Sequence, residues 1–189
     1  MMLLNLRAIA PIKEEQYLKI CEDNPDLKLE LDQDGTLIVM PPTGGITGSR
    51  NSEINYQLQA WNKRKKLGKV FDSSTEFKLP NGAFRSPDAA WISIERWDNL
   101  TKEEQEKFPP LAPDFIIELR SSSDRLKPLQ EKMQEYITNG VRLGWLIDPQ
   151  NRQVEVYRPG NSVEILSSPT SLSGEDLLPE FVLDLNEIW

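Results

Sequence analysis

Apolar residues recur along the chain with two periods, and the switches between them mark its elements. Leu27–Asp32 and Thr36–Met40 alternate as half-buried strands do, and Gln33-Asp34-Gly35 between them is a hairpin turn signal. Pro41-Pro42 closes the second run. Before the hairpin, Pro11–Glu22 predicts a short helix. After it, a Gly/Ser/Thr loop over Thr43–Asn51 leads into a helix expected from about Gly48, with Ile54, Leu58 and Trp61 as its core stripe and Gly68 as its cap. Val70–Leu79 predicts a strand, Pro80-Asn81-Gly82 a turn and Pro87–Ile94 another strand. Thr101 with Glu104 is a capping box that opens a short acidic helix. Asp114–Arg120 has a nearly continuous apolar centre, which predicts a strand interior to its sheet. Ser121-Ser122-Ser123-Asp124 offers N-caps for a helix that runs to about Asn139 and stops at Gly140. Leu143–Asp148 and Gln153–Tyr157 predict strands on either side of Pro149-Gln150-Asn151, and Val163–Leu166 predicts one more. Leu177–Trp189 is expected to form a final turn and short helix. The succession is that of an α/β fold with a central mixed sheet, and 189 residues make one domain over 1–189 the natural expectation.

Composition narrows the chemistry. Apolar residues make up 38% and charged residues 28%, ordinary for a soluble globular protein with a full core. The chain has no histidine, which excludes Ser-His-Asp and Cys-His catalysis and every histidine metal site. Its one cysteine, Cys21, excludes an internal disulfide and thiolate clusters, and fits a reducing, cytoplasmic setting. No run approaches 18 apolar residues, so no membrane span is expected. Met1–Ala10 is mildly apolar but lacks a basic leader and carries Arg7, so it reads as part of the mature protein. No glycine-rich phosphate loop is present, and no nucleotide cofactor is expected.

The net charge of −8 argues against a nucleic-acid partner, but its distribution softens the objection. Residues 45–87 hold 8 basic and 3 acidic side chains, whereas residues 88–189 hold 10 and 19. Lys63, Arg64, Lys65, Lys66 and Lys69 dominate the basic stretch, either as the solvated end of a helix or as a phosphate-contacting patch.

With histidine and thiolate absent, chemistry falls to carboxylates and amines. Asp88 opens a strand directly after Pro87, and Glu118 sits between Ile117 and Leu119 inside an apolar strand. An acid in an apolar strand needs a partner, commonly a structural ion pair. Two such acids on neighbouring strands suggest a hard-cation site, and with the Leu119 carbonyl they suit Mg²⁺. Glu53 borders the Ile54/Leu58/Trp61 stripe and either faces the sheet or is solvated. Lys132 flanks the buried stripe of the helix after Glu118, either snorkelling to solvent or reaching back toward the end of that strand.

Pro87-Asp88 followed by Glu118-Leu119-Arg120 resembles the Pro-Asp…(Asp/Glu)-x-Lys signature of the PD-(D/E)XK restriction-endonuclease-like superfamily. The finer resemblance is to the Uma-type family of candidate bacterial restriction endonucleases. It is carried by Leu29-Glu30-Leu31, Asp34-Gly35, Ile38–Pro42, Arg85–Ala90 and Phe115–Leu119. It continues through Ser121–Asp124, Lys132, Tyr136, Gly140-Val141 and Trp145–Pro149. The ordered series spans roughly residues 11–189.

The resemblance implies a three-layer α/β core, with an N-terminal helix and β-hairpin, and Asp88 and Glu118 on adjacent strands. It implies a Mg²⁺-dependent (or Mn²⁺-dependent) endonuclease acting on DNA. Asp88, Glu118, the Leu119 carbonyl and Glu53 would form the metal site. The third motif position holds Arg120, and the family lysine is matched by Lys132 on the following helix. Arg120 is always charged and unsuited as a base, though it could hold a phosphate. Glu30 reads as structural or peripheral, because it lies in the appended hairpin. A homodimer would present two such sites to both DNA strands. The rival readings are a catalytically inactive module of the same fold that binds nucleic acid or protein, and a purely structural partner of another protein.

Overall fold

In the computed structural model, the described residues are 11–189 and the backbone of residues 2–4. The reading of Met1–Ala10 as mature chain therefore lies largely outside the described residues. Among them, no helix is long and apolar enough to cross a membrane.

The chain runs β1 (Met2–Leu4), α1 (Glu14–Asp23), β2 (Lys28–Leu31), β3 (Leu37–Met40), α2 (Gly45–Lys65), β4 (Gly68–Asp72), β5 (Phe77–Lys78), β6 (Phe84–Arg85) and β7 (Ala89–Ser93). It continues with α3 (Ile94–Asp98), α4 (Lys102–Glu106), β8 (Phe115–Leu119), α5 (Leu126–Thr138), β9 (Leu143–Asp148), β10 (Gln153–Tyr157), β11 (Glu164–Ser167), β12 (Ser171–Ser173) and β13 (Val182–Asp184). The central sheet has the order β11-β10-β9-β8-β7-β4. Only its β8–β9 pair is parallel, which makes the sheet mixed. A parallel pair needs a crossover, and α5 supplies it. β8 is interior, as its continuous apolar run implied, and every residue of it is buried.

Side-chain alternation divides the core in two. Phe115, Ile117 and Leu119 face α2, meeting Ile54, Leu58 and Trp61. Ile116 faces α5, meeting Met133 and Tyr136. The C-terminal residues complete the α2 layer, where the Phe181 ring stacks on Trp145 with centroids 6.0 Å apart. A second sheet, β1-β3-β2-β6-β5, carries α1. Tyr17 of α1 reaches from it to Glu76, donating a 2.6 Å hydrogen bond. The chain crosses from the second sheet to the central one between Phe84 in β6 and Ala89 in β7.

Four local expectations are corrected. α2 begins at Gly45, not near Gly48, because Gly44 adopts the extended N-cap backbone and the glycine-rich stretch forms the first turn. Its C-cap is Lys66, with φ 56°, and Gly68 already opens β4. The expected Val70–Leu79 strand is broken. Asp72 folds its carboxylate onto the Ser74 amide, and Phe77-Lys78 pairs in the other sheet. The C-terminus is strand, not helix, since Val182–Asp184 pairs with Ser171–Ser173. Gln57 of α2 fixes that strand from the side by hydrogen bonds to the Asp184 carbonyl and amide, 3.0 and 2.8 Å.

Gly68 is there for space. A Cβ on it would lie 2.1 Å from the Ile92 carbonyl oxygen and 2.5 Å from the Trp91 ring. Asn62 also clamps this corner, giving a 2.9 Å hydrogen bond to the Gly68 carbonyl and taking one of 3.0 Å from the Trp91 indole. Gly68→Ala is therefore expected to lower unfolding free energy by about 2 kcal/mol or more, read from the urea midpoint against the parent.

Candidate functional site

Glu118 projects from the α5 face of β8 with a side chain that is almost fully buried. Burial of a lone carboxylate is prohibitive, so partners must lie close. Lys132, on the second turn of α5, supplies one, with its Nζ 2.7 Å from Glu118 Oε1. Tyr136, one turn further on, donates its hydroxyl to the same oxygen at 3.1 Å. Glu118 is thus read by positions i and i+4 of a single helix face. Among the described residues no hydrogen bond reaches Glu118 Oε2, and Glu118 lines the main pocket.

The ammonium also meets Glu30, 2.8 Å from its Oε1. Glu30 stands in β2 of the appended sheet and is 2% exposed. It accepts from the Ser86 amide at 3.0 Å and from Arg85 Nη1 at 3.2 Å. Arg85 Nε in turn donates to Glu135 Oε2 at 2.6 Å. The chain crossing between the sheets delivers Arg85 and Ser86 to this cluster, and two residues later Asp88. Glu30 is thus a structural member of the cluster, tied into it by Lys132, Arg85 and the Ser86 amide.

Asp88 is held from two sides. Its Oδ2 accepts from the Leu119 amide at 2.8 Å, and its Oδ1 from Asn51 Nδ2 at 2.9 Å. Asn55 donates to the Asp88 carbonyl at 2.9 Å. The side-chain Oδ1 of Asn51 is buried without a partner among the described residues. Asp88, Glu118, Leu119 and Lys132 are thus brought together around one pocket of about 450 Å³. Its walls are the β2–β3 hairpin, the start of α2, and the Ser121–Arg125 segment with the first turns of α5.

Two candidates lie elsewhere. Glu53 does not line this pocket. A helix turns about 100° per residue, so two residues from Asn51 carry Glu53 to the far side of α2. There its carboxylate accepts from Gln57 at 2.9 Å. Arg120 is tied to Asp148 at 2.8 Å and to the Asp124 carbonyl at 3.2 Å. The basic run Lys63–Lys66 sits at the opposite end of α2 from the pocket, where Lys65 pairs with Glu180 at 2.6 Å. Ser121–Asp124 does not cap α5. Asp124 turns back onto the Ser121 amide and hydroxyl, and Arg125 is the N-cap.

The electrostatics combine burial with a charge imbalance. Four carboxylates, Glu30, Asp88, Glu118 and Glu135, face two cations, Arg85 and Lys132. Burial raises Glu118, Lys132 lowers it, Asp88 and Glu30 raise it again, and it ends at about 7. Burial also raises Asp88, against the pull of the Leu119 amide and Lys132. Glu30 is held below the usual range because Lys132 and Arg85 outweigh its burial. Lys132 is raised, since Glu118 and Glu30 outweigh its burial, so it remains an ammonium. Nearby Glu76 is pushed up to about 8, chiefly by burial.

No group of three or more His, Cys, Asp or Glu with metal-site geometry occurs among the described residues. Mg²⁺ does not require one, because it commonly takes one or two carboxylates and completes its shell with water and phosphate oxygens. The donor set lining the pocket is oxygen, from Asp88 and Glu118, and among the described residues Glu118 Oε2 takes no hydrogen bond. It fits a hard divalent cation.

Sequence reasoning found Asp88, Glu118 and Lys132. It missed Arg85, Glu135 and Asn51 as members of the cluster. Asn51 carried a signal, since it lies one turn before Asn55 on the face of α2 that meets the start of β7.

The sequence matches the Uma2 family, described as "Putative restriction endonuclease", over residues 14–186. A crystal structure described as "a putative nuclease belonging to DUF820", from Anabaena variabilis, superposes with a TM-score of 0.74 at 24% identity, covering 89% of this chain and 91% of that one. That likeness establishes the fold, a central mixed sheet flanked by helices. No curated protein matches the chain.

The raised carboxyls set a sign for stability. A carboxyl raised by folding favours the fold below its unfolded value of 4.5, and that contribution is lost as pH rises through the folded value. Metal-free protein is expected to lose thermal stability between pH 5.5 and about 8.5, and Glu118→Gln and Glu76→Gln should each flatten the slope. Melting temperatures across that range check it.

Proposed function

The chain belongs to the Uma2 family, and on that premise we propose that the pocket hydrolyses DNA phosphodiester bonds with a divalent cation, Mg²⁺ or Mn²⁺. The observation that carries this reading is the charge imbalance. With every acid ionised the cluster holds two more carboxylates than cations, the charge of one such ion, and Asp88 and Glu118 line the pocket. Asp88, Glu118 and the Leu119 carbonyl are the proposed ligands. A bound divalent cation would neutralise phosphate charge and acidify a coordinated water.

The chain's own residues then have distinct tasks. Asn51 and the Leu119 amide fix the Asp88 carboxylate, so its remaining lone pairs have one orientation. Glu118 and Glu30 hold Lys132 as an ammonium in the metal-free protein, which suits it to charge stabilisation. It places a positive charge beside the ligands, where negative charge accumulates on the phosphoryl group. Lys28 and Arg125 at the pocket walls, with the hydroxyls of Ser121–Ser123, are suited to the flanking phosphates. Arg120 has no part in this step, because Asp148 occupies its guanidinium.

Supercoiled plasmid nicking in Mg²⁺ or Mn²⁺ tests the reading. The parent is expected to nick, chelator to abolish nicking, and Asp88→Ala and Lys132→Ala each to lower the rate about 100-fold or more. Arg120→Lys should retain activity. DNA retained but uncut by the parent at every metal concentration would instead assign an inactive binding module.

A further inference from the structure

Lys132 has two carboxylates where one would hold it, and they are not equivalent. Its Nζ lies 2.7 Å from Glu118 Oε1, 2.8 Å from Glu30 Oε1 and 3.5 Å from the Ser86 carbonyl. Glu118 has one oxygen free toward the pocket. Glu30 is committed inward on both oxygens, to the Ser86 amide at 3.0 Å and to Arg85 at 3.2 Å. Arg85 is itself pinned by Glu135. Glu30 is therefore a rigid acceptor that cannot turn to ligate an ion in the pocket.

A divalent cation and an ammonium on the same Glu118 carboxylate repel each other strongly in a buried setting. The ammonium needs somewhere else to go, within reach, without losing its charge. We propose that Glu30 is the positioning residue that receives the Lys132 ammonium when a divalent cation takes Glu118, so that metal uptake and lysine placement are one event. The proposal rests on the reading of Asp88 and Glu118 as ligands. It gives the appended hairpin a specific task, since no residue of the central sheet performs it. Lys132 moves only from a shared hydrogen bond to one centred on Glu30, and Ser86 retains its third acceptor position.

The test needs no DNA. Mn²⁺ affinity of the full chain is measured by the electron paramagnetic resonance signal of free Mn²⁺, for the parent, Glu30→Gln, Lys132→Met and the double variant. Glu30→Gln is expected to bind Mn²⁺ about tenfold more weakly, because the ammonium stays on Glu118. In the Lys132→Met background the same change is expected to have no effect, since no ammonium remains to be received. An equal loss in both backgrounds would mean that Glu30 acts through its own charge, and would overturn the proposal. Glu30→Asp keeps the charge and withdraws it by one methylene, and is expected to show the same pattern in smaller measure. It serves if Glu30→Gln fails to fold. A parent that binds Mn²⁺ no better than Asp88→Asn would overturn the ligand reading itself, a result distinct from an equal loss.

Discussion

The buried ammonium of Lys132 holds three parts of the fold in register. It joins the crossover helix that carries it to a strand of the central sheet through Glu118, and to the appended sheet through Glu30. Removing it would leave two almost fully buried carboxylates facing each other, a costly arrangement in a low-dielectric setting. The contact is therefore structural and chemical at once. The surrounding elements supply further partners: Arg85 for Glu30, Glu135 for Arg85, Tyr136 for Glu118.

Such a cluster is not the cheapest way to fill a core. Apolar residues of similar volume commonly stabilise as much or more. Its residual negative charge, held open toward a pocket of about 450 Å³, is what an inert ion-pair network would lack. Burial first, and then the neighbouring Asp88 and Glu30, raise Glu118 to about 7 despite the Lys132 ammonium beside it.

Much of this was legible in the chain and some was not, for physical reasons. Asp88 and Glu118 were visible because acids next to or within apolar strands violate patterning, and a violation without a local partner points to function. Lys132 was visible because its helical phase placed it beside the buried stripe. The partners of Glu30 were not visible because they lie 56 and 102 residues away, and alternation alone cannot say what a hairpin packs against. Glu53 looked equivalent to Asn51 and Asn55 in sequence proximity, and only the azimuth around α2 separates them. The broken Val70–Leu79 run shows the same limit. Apolar residues at both ends drew the run as one strand, but the Asp72 turn between them sends the two halves into different sheets.

The parallel β8–β9 pair has a consequence for how such sites are recognised. Parallel neighbours oblige the chain to return over the sheet, and the return helix must pass above the end of the strand it leaves. Any pocket-facing position on the first turns of that helix can therefore deliver a cation to the strand's last acid. Lys132 lies 14 residues after Glu118 in the chain yet makes direct contact with it. A signature defined by fixed spacing would score this chain as degenerate at Arg120, while in three dimensions a positive charge still meets the acid. In this chain topology, not a spacing of two residues, brings the positive charge to the acid.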